Sequence, residues 1–110
     1  MALISLGKIT VTNAGTPVPF TATANTNCNA VYVQYPFTGN SGAQVYIGSK
    51  ALVKATLVGC YRILTRIAAA TTPFDRWDFQ SNVFVGPFDL STLYVDADSS
   101  SDFILVSYVT

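Results

Sequence analysis

Apolar and polar residues alternate along most of this chain. Ile9 and Val11 alternate with Thr10 and Thr12, after a run in which Ile4 and Leu6 hold the apolar positions. The apolar phase moves from even to odd numbers across Gly7-Lys8, which predicts a first strand interrupted by a bulge. Asn13-Ala14-Gly15-Thr16-Pro17 reads as a turn. Val18, Phe20, Ala22 and Ala24 then share a face opposite Thr21 and Thr23, so a second strand is expected to pair back on the first as a hairpin. Asn25-Thr26-Asn27 makes another turn. Val31, Val33 and Tyr35 mark a third strand closed by Pro36, residues 38–42 form a loop, and a short fourth strand centres on Val45-Tyr46-Ile47.

The segment Ser49 to Gly59 departs from this period. Leu52, Ala55 and Val58 or Gly59 lie at helical spacing, which predicts a helical turn or a long loop. A strand resumes with Tyr61, Ile63 and Ile67 on one face and Arg62, Leu64 and Arg66 on the other. Residues 68–73 connect it to a stretch in which Trp77 and Phe79 alternate with Arg76 and Asp78. Asn82 to Val85 is a further strand, broken by Gly86-Pro87. Leu93 and Val95 flank Tyr94 in the next, residues 96–102 are a polar loop, and Phe103 to Val109 closes the chain. About eight short strands at roughly 8–12 residue spacing predict an all-β fold, a two-sheet β-sandwich or jelly roll of short antiparallel strands. Residues 1–110 are read as one domain, with residues 1–8 as an arm or edge strand.

Composition narrows what such a domain can do. Half of the 110 residues are apolar and 11% are charged, with six Lys and Arg against six Asp. Disorder is excluded, because it needs low hydrophobicity or unbalanced charge. So is binding to nucleic acid held mainly by counterion release. The chain has no His and no Glu, so the commonest general base and the commonest nitrogen ligand for metals are missing. Few charges are available to cover so small a body. Apolar surface is therefore expected to remain exposed as a permanent interface, most commonly in a homo-oligomer. No stretch approaches the roughly 18 apolar residues of a membrane helix, and no basic region precedes the short apolar run at the start. The expectation is a cytosolic protein with no membrane partner. Cys28 and Cys60 read as two buried, reduced thiols, with a bridge between them left open by the spacing.

Few constellations carry chemistry. Asp96, Asp98, Ser100 and Asp102 alternate as oxygen ligands of a calcium loop do, but the loop lacks the Gly and the bidentate Glu of an EF-hand. A solvated hairpin loop is the expectation, and no metal or cofactor. Asp75 and Asp78 beside Trp77 suggest a carboxylate pair in a sugar cleft, yet the same run reads as a strand with its charges outward and Trp77 in the core. No His can activate Cys28, Cys60 or a serine, and Ser49-Lys50 is a poor nucleophile pair on adjacency alone. Gly39, Gly42 and Gly48 lack the Lys-Ser or Lys-Thr of a phosphate loop. The chain is expected to be no enzyme. Arg62 and Arg66 project from one strand face with Lys50 and Lys54 just upstream, and these four are the candidate partner contacts, suited to an acidic partner. The competing reading is a solvated face that discourages edge pairing. Trp77, Tyr35 and Tyr61 would be the stacking platforms if the chain were a carbohydrate-binding module.

Three stretches resemble small structural proteins of tailed-bacteriophage virions, of the capsid decoration or cement type. They are residues 1–18, residues 45–48 with 52–59, and residues 89–98 with 106–109. The resemblance implies a β-sandwich that binds the outside of an assembled capsid at junctions in the lattice of the major capsid protein, commonly as a trimer. Such a protein is made in the host cytoplasm and becomes part of the virion. The alternative within the same resemblance is a tail, fibre or neck component.

Overall fold

A computed structural model describes residues 2–36, 39–41, 44–65 and 81–110. Among them, eight strands lie in two four-stranded antiparallel sheets, which face each other as a sandwich. In the first sheet the order is β1 (Leu3–Thr10), β8 (Phe103–Val109), β3 (Asn27–Gln34) and β6 (Ser81–Asp89). In the second it is β2 (Val18–Pro19), β7 (Tyr94–Ala97), β4 (Gln44–Val53) and β5 (Val58–Thr65). The all-β sandwich expected from the period of two is therefore present. Ile104 and Val106 of β8, with Val31 and Val33 of β3, face Val45 and Ile47 of β4, Leu64 of β5 and Val95 of β7; Val11, Phe20, Cys28, Tyr35, Leu90, Leu93 and Ala97 complete this core. Burying each such aliphatic side chain contributes roughly 1.5–3 kcal/mol before conformational entropy is charged against it.

The expected bulge in the first strand is present. The register between β1 and β8 shifts between Ser5 and Gly7, and Gly7 takes a positive φ of 71° that a side chain resists. Residues 3–8 are an edge strand hydrogen-bonded to β8, not a free arm.

Three expectations need correction. The hairpin between the first two strands does not form: β1 pairs with β8, and Val18–Pro19 pairs with β7 in the other sheet. Pro19 has no N–H to donate, so the ladder stops there. Phe20 N donates to Leu93 O at 2.8 Å, and the chain beyond it leaves Ala22 and Ala24 exposed. Nor does Ser49–Gly59 hold a helical turn. β4 continues to Val53 and returns through residues 54–57 into β5. Register shifts on both sides of Gly48 throw the alternation out of phase, and this imitated a helical spacing. Finally, Gly86-Pro87 does not end its strand. β6 carries both residues within a register shift opposite Cys28–Ala30, on an edge where a missing donor is tolerated, and the Gly86–Pro87 peptide is cis.

Cys28 lies in β3 and Cys60 in β5, in different sheets, and both are free thiols. Burial, reinforced by the Asp89 carboxylate, pushes the Cys28 thiol above its ordinary value.

Gly48 sits where the β4–β5 hairpin is tightest. A Cβ there would run into the Gly59 carbonyl oxygen, which is backbone and has no rotamer to yield. Gly48→Ala is expected to lower stability by about 2–3 kcal/mol, read as a drop in the urea midpoint at unchanged slope.

Candidate functional site

Alternation in the first sheet sends one set of side chains into the core and the other to the outside. On the outside the register lines up three rows across the sheet. The first row is Leu3, Val109, Ala30 and Val85, apolar from edge to edge. The second is Ser5, Ser107, Tyr32 and Val83. The third runs Lys8, Leu105, Gln34. An antiparallel sheet with one face in water normally presents polar residues there. Here Leu3 is 71% exposed and Val85 80% exposed, and Tyr32, Val83 and Leu105 are also exposed. The only charge on these rows is Lys8, whose ammonium sits 4.3 Å from the centre of the Phe103 ring. Shallow hollows on this face are lined by Tyr32, Ser107, Leu105 and Val109.

A second apolar surface lies at the end of the β4–β5 hairpin, where Val53, Leu57 and Val58 are exposed. Leu57 holds a positive φ of 62°. For a residue with a branched side chain this left-handed conformation costs roughly 1–2 kcal/mol.

Three of the four candidate contact residues, Lys50, Lys54 and Arg62, lie among the described residues. Lys50 is exposed on β4. Lys54 Nζ donates to Ala97 O on β7 at 2.7 Å, which engages its ammonium with the backbone. Arg62 lies opposite Ile47 in register and shares its face with Leu64, so it stands on the core-facing side of β5 but at the open edge, where it is exposed. Arg66 lies outside the described residues, as do Asp75, Arg76, Trp77 and Asp78.

The acidic loop is knitted into the fold. Asp96 Oδ1 accepts from Gly15 N at 2.9 Å and from Ala97 N at 2.8 Å, Asp98 Oδ1 accepts from Tyr46 OH at 2.8 Å, and Ser100 Oγ accepts from Ala14 N at 3.0 Å. Asp102 Oδ1 accepts from Ser41 N at 2.8 Å. The oxygens that would have to converge on a calcium ion are turned to separate protein donors. Among the described residues no cluster of three or more His, Cys, Asp or Glu could hold a metal. The Tyr46 phenol is pushed up to about 12 by burial and by its hydrogen bond to Asp98.

The aromatic candidates part company. Tyr35 is 4% exposed and belongs to the core, so it offers no sugar platform. Tyr61, 60% exposed, lines with Val83, Phe84 and Phe88 a cavity of about 390 Å³ between the edges of β5 and β6. The rows on the first sheet were not singled out from sequence, although a signal was there. Val83-Phe84-Val85 and Phe103-Ile104-Leu105-Val106 are unbroken apolar runs, which in a strand mean that both faces want cover.

Compared with known protein families, curated proteins and solved structures, this chain matches none of them.

Asp89 carries the clearest electrostatic consequence. It accepts from Ser91 N at 3.0 Å and Ser91 Oγ at 2.8 Å, and from Asn25 N and Thr26 N. The bonds from Ser91 come first in holding its carboxyl below the ordinary value, followed by those from Asn25 and Thr26. A depressed carboxyl stabilises the fold fully above about pH 4, its unfolded range, and that stability is lost as pH falls through the lower folded value. Denaturant midpoints are expected to fall across that window, and Asp89→Asn should start lower and flatten the fall.

Proposed function

We propose that this chain is a non-enzymatic structural protein of a virion, a decoration or cement protein that binds an assembled phage capsid and stabilises it. One observation carries this reading: a domain of 110 residues leaves apolar side chains uncovered on two separate surfaces, the outer rows of the first sheet and the end of the β4–β5 hairpin. Large uncovered apolar patches mark surfaces that meet a partner. A component of a shell needs such surfaces and needs no active site. It can bind each contact weakly, because many copies act on one particle. The resemblance of the three sequence stretches to decoration proteins selects a capsid over other assemblies.

The hairpin end is the part offered to the capsid lattice. Leu57 spends conformational energy in a left-handed backbone and then exposes its side chain, so the fold gains little from a leucine there. Strain that the fold does not need points to a use elsewhere. Lys50 stands nearby on β4 and would pair with acidic groups of the lattice.

Purified particles are expected to contain the chain in numbers matching the lattice sites, and purified chain is expected to cosediment with undecorated shells. Leu57→Gly should raise stability by up to about 1 kcal/mol by relieving the positive φ, while weakening shell binding. Absence from the particle, or a handful of copies as in a tail or neck, overturns the capsid reading. Full binding by Leu57→Gly removes the hairpin end from the contact.

A further inference from the structure

We infer that the outer face of the first sheet is the contact surface for a second copy of this chain, packed sheet on sheet about a two-fold axis parallel to the strands. This goes beyond the capsid reading and does not depend on it. It also departs from the three-fold association that the sequence resemblance implies.

Two observations select a second copy as the occupant, and a third, area, sets how strongly it is held. The first is charge. Lys8 is the only ionic group on the rows, and its ammonium already lies over the Phe103 ring. The face therefore offers almost nothing for an oppositely charged partner to match, whereas an uncharged surface meets its own copy without repulsion.

The second is the arrangement of the rows. An axis along the strands lays β1 of one copy over β6 of the other, and β8 over β3, while each row stays on itself. The all-apolar row then meets its own copy: Leu3 covers Val85 of the partner subunit, and Val109 covers Ala30 of the partner subunit. Leu3 and Val85, at 71% and 80%, are the most exposed large apolar residues among those described, and they stand at opposite ends of that one row. The two-fold lets each hide the other. It also leaves the two Lys8 side chains near opposite edges of the interface, separated by roughly three strand spacings, or about 14 Å, beyond the screening length of about 8 Å in physiological salt. A two-fold axis across the strands would instead set Leu3 on Lys8 of the partner subunit and Ala30 on Gln34 of the partner subunit, so the apolar row would lose its match.

The third is area. Four strands spaced about 4.8 Å apart, with about seven residues each at 3.3 Å, give a footprint of roughly 400–500 Å² per copy. That is below the roughly 800 Å² per partner of a standard stable interface. An interface of that size belongs with weak, reversible associations. The flat shape of the molecule, 39 × 32 × 19 Å, suits such stacking, with the sheets of the two copies within about 30° of each other.

Because the axis crosses Leu3 of each copy onto Val85 of the other, complementary charges can test it. Sedimentation equilibrium up to about 1 mM is expected to show a monomer–dimer equilibrium for the full chain. Leu3→Lys alone and Val85→Asp alone should each weaken it by at least about tenfold. An equimolar mixture of the two variants should restore dimer to near the wild-type level, since one crossing becomes a Lys–Asp pair and the other remains Leu on Val. Both positions are exposed, and matching circular dichroism and unfolding midpoints confirm that the variants fold. A chain that stays monomeric throughout overturns the proposal. So does a dimer indifferent to both substitutions, or a mixture that recovers nothing. If the chain is monomeric and both variants lose shell binding instead, the face belongs to the shell and the two-fold is wrong.

Discussion

Alternate residues of a β-strand point to opposite sides, and two stacked sheets can bury only one side each. Everything else in this molecule follows from how the two leftover faces are treated. Around Tyr46 and Leu52, away from the exposed hairpin end, the second sheet is covered by its own chain. The hairpin end of β4–β5 bends back far enough for Lys54 to reach the Ala97 carbonyl, and Leu52 and Tyr46 are buried although they lie outside the core between the sheets. The turn at residues 13–16 closes over Asp96 from the same side. On the first sheet the described residues supply only Gly39, beside the Phe103 ring at one corner, yet the outer rows hold Leu3, Val109, Ala30, Val85, Val83 and Leu105. The asymmetry lies between a face covered over its middle and one left open across its outer rows.

The acids explain how the finished parts are held. Four of the six Asp residues, 89, 96, 98 and 102, each accept hydrogen bonds from backbone or hydroxyl donors of segments distant in sequence. A short carboxylate can close a turn onto a neighbouring loop where a longer side chain would overshoot, which suits a chain that has Asp and no Glu. Charge spent as internal staples is unavailable to the surface. The scarcity of ionic groups on the first sheet is the other side of that use.

Much of the fold was legible because alternation is a local signal. The bulge at Gly7, the burial of Val31, Val33 and Val45, and the count of about eight strands could all be read from neighbouring residues. What could not be read was pairing. β1 with β8 and β2 with β7 are contacts between opposite ends of the chain, and nothing within a window of ten residues distinguishes them from a simple hairpin. Where bulges broke the period, at Gly48 and near Gly86, the local signal itself misled. For the interaction surfaces, charge attracted attention to Lys50, Lys54, Arg62 and Arg66, of which Lys54 turns its ammonium to the Ala97 carbonyl. The apolar rows were written in the sequence as unbroken runs, but a run becomes a surface only once the register places one strand beside another.

The two unfinished surfaces also bear on each other. A single hairpin end is a small contact, and a few exposed apolar residues cannot hold a partner tightly against the entropy lost on binding. Pairing of two copies through the first sheet would place two such ends on one rigid body. The second end would then bind at an effective concentration fixed by the dimer's geometry instead of by the bulk solution, and modest contacts would add up to firm attachment wherever the partner's sites match that spacing. A weak dimer suits this arrangement better than a tight one. It would assemble on the partner surface, where local concentration is high, and remain largely dissociated in free solution. Its concentration dependence would thereby confine the adhesive form to the place where it is needed.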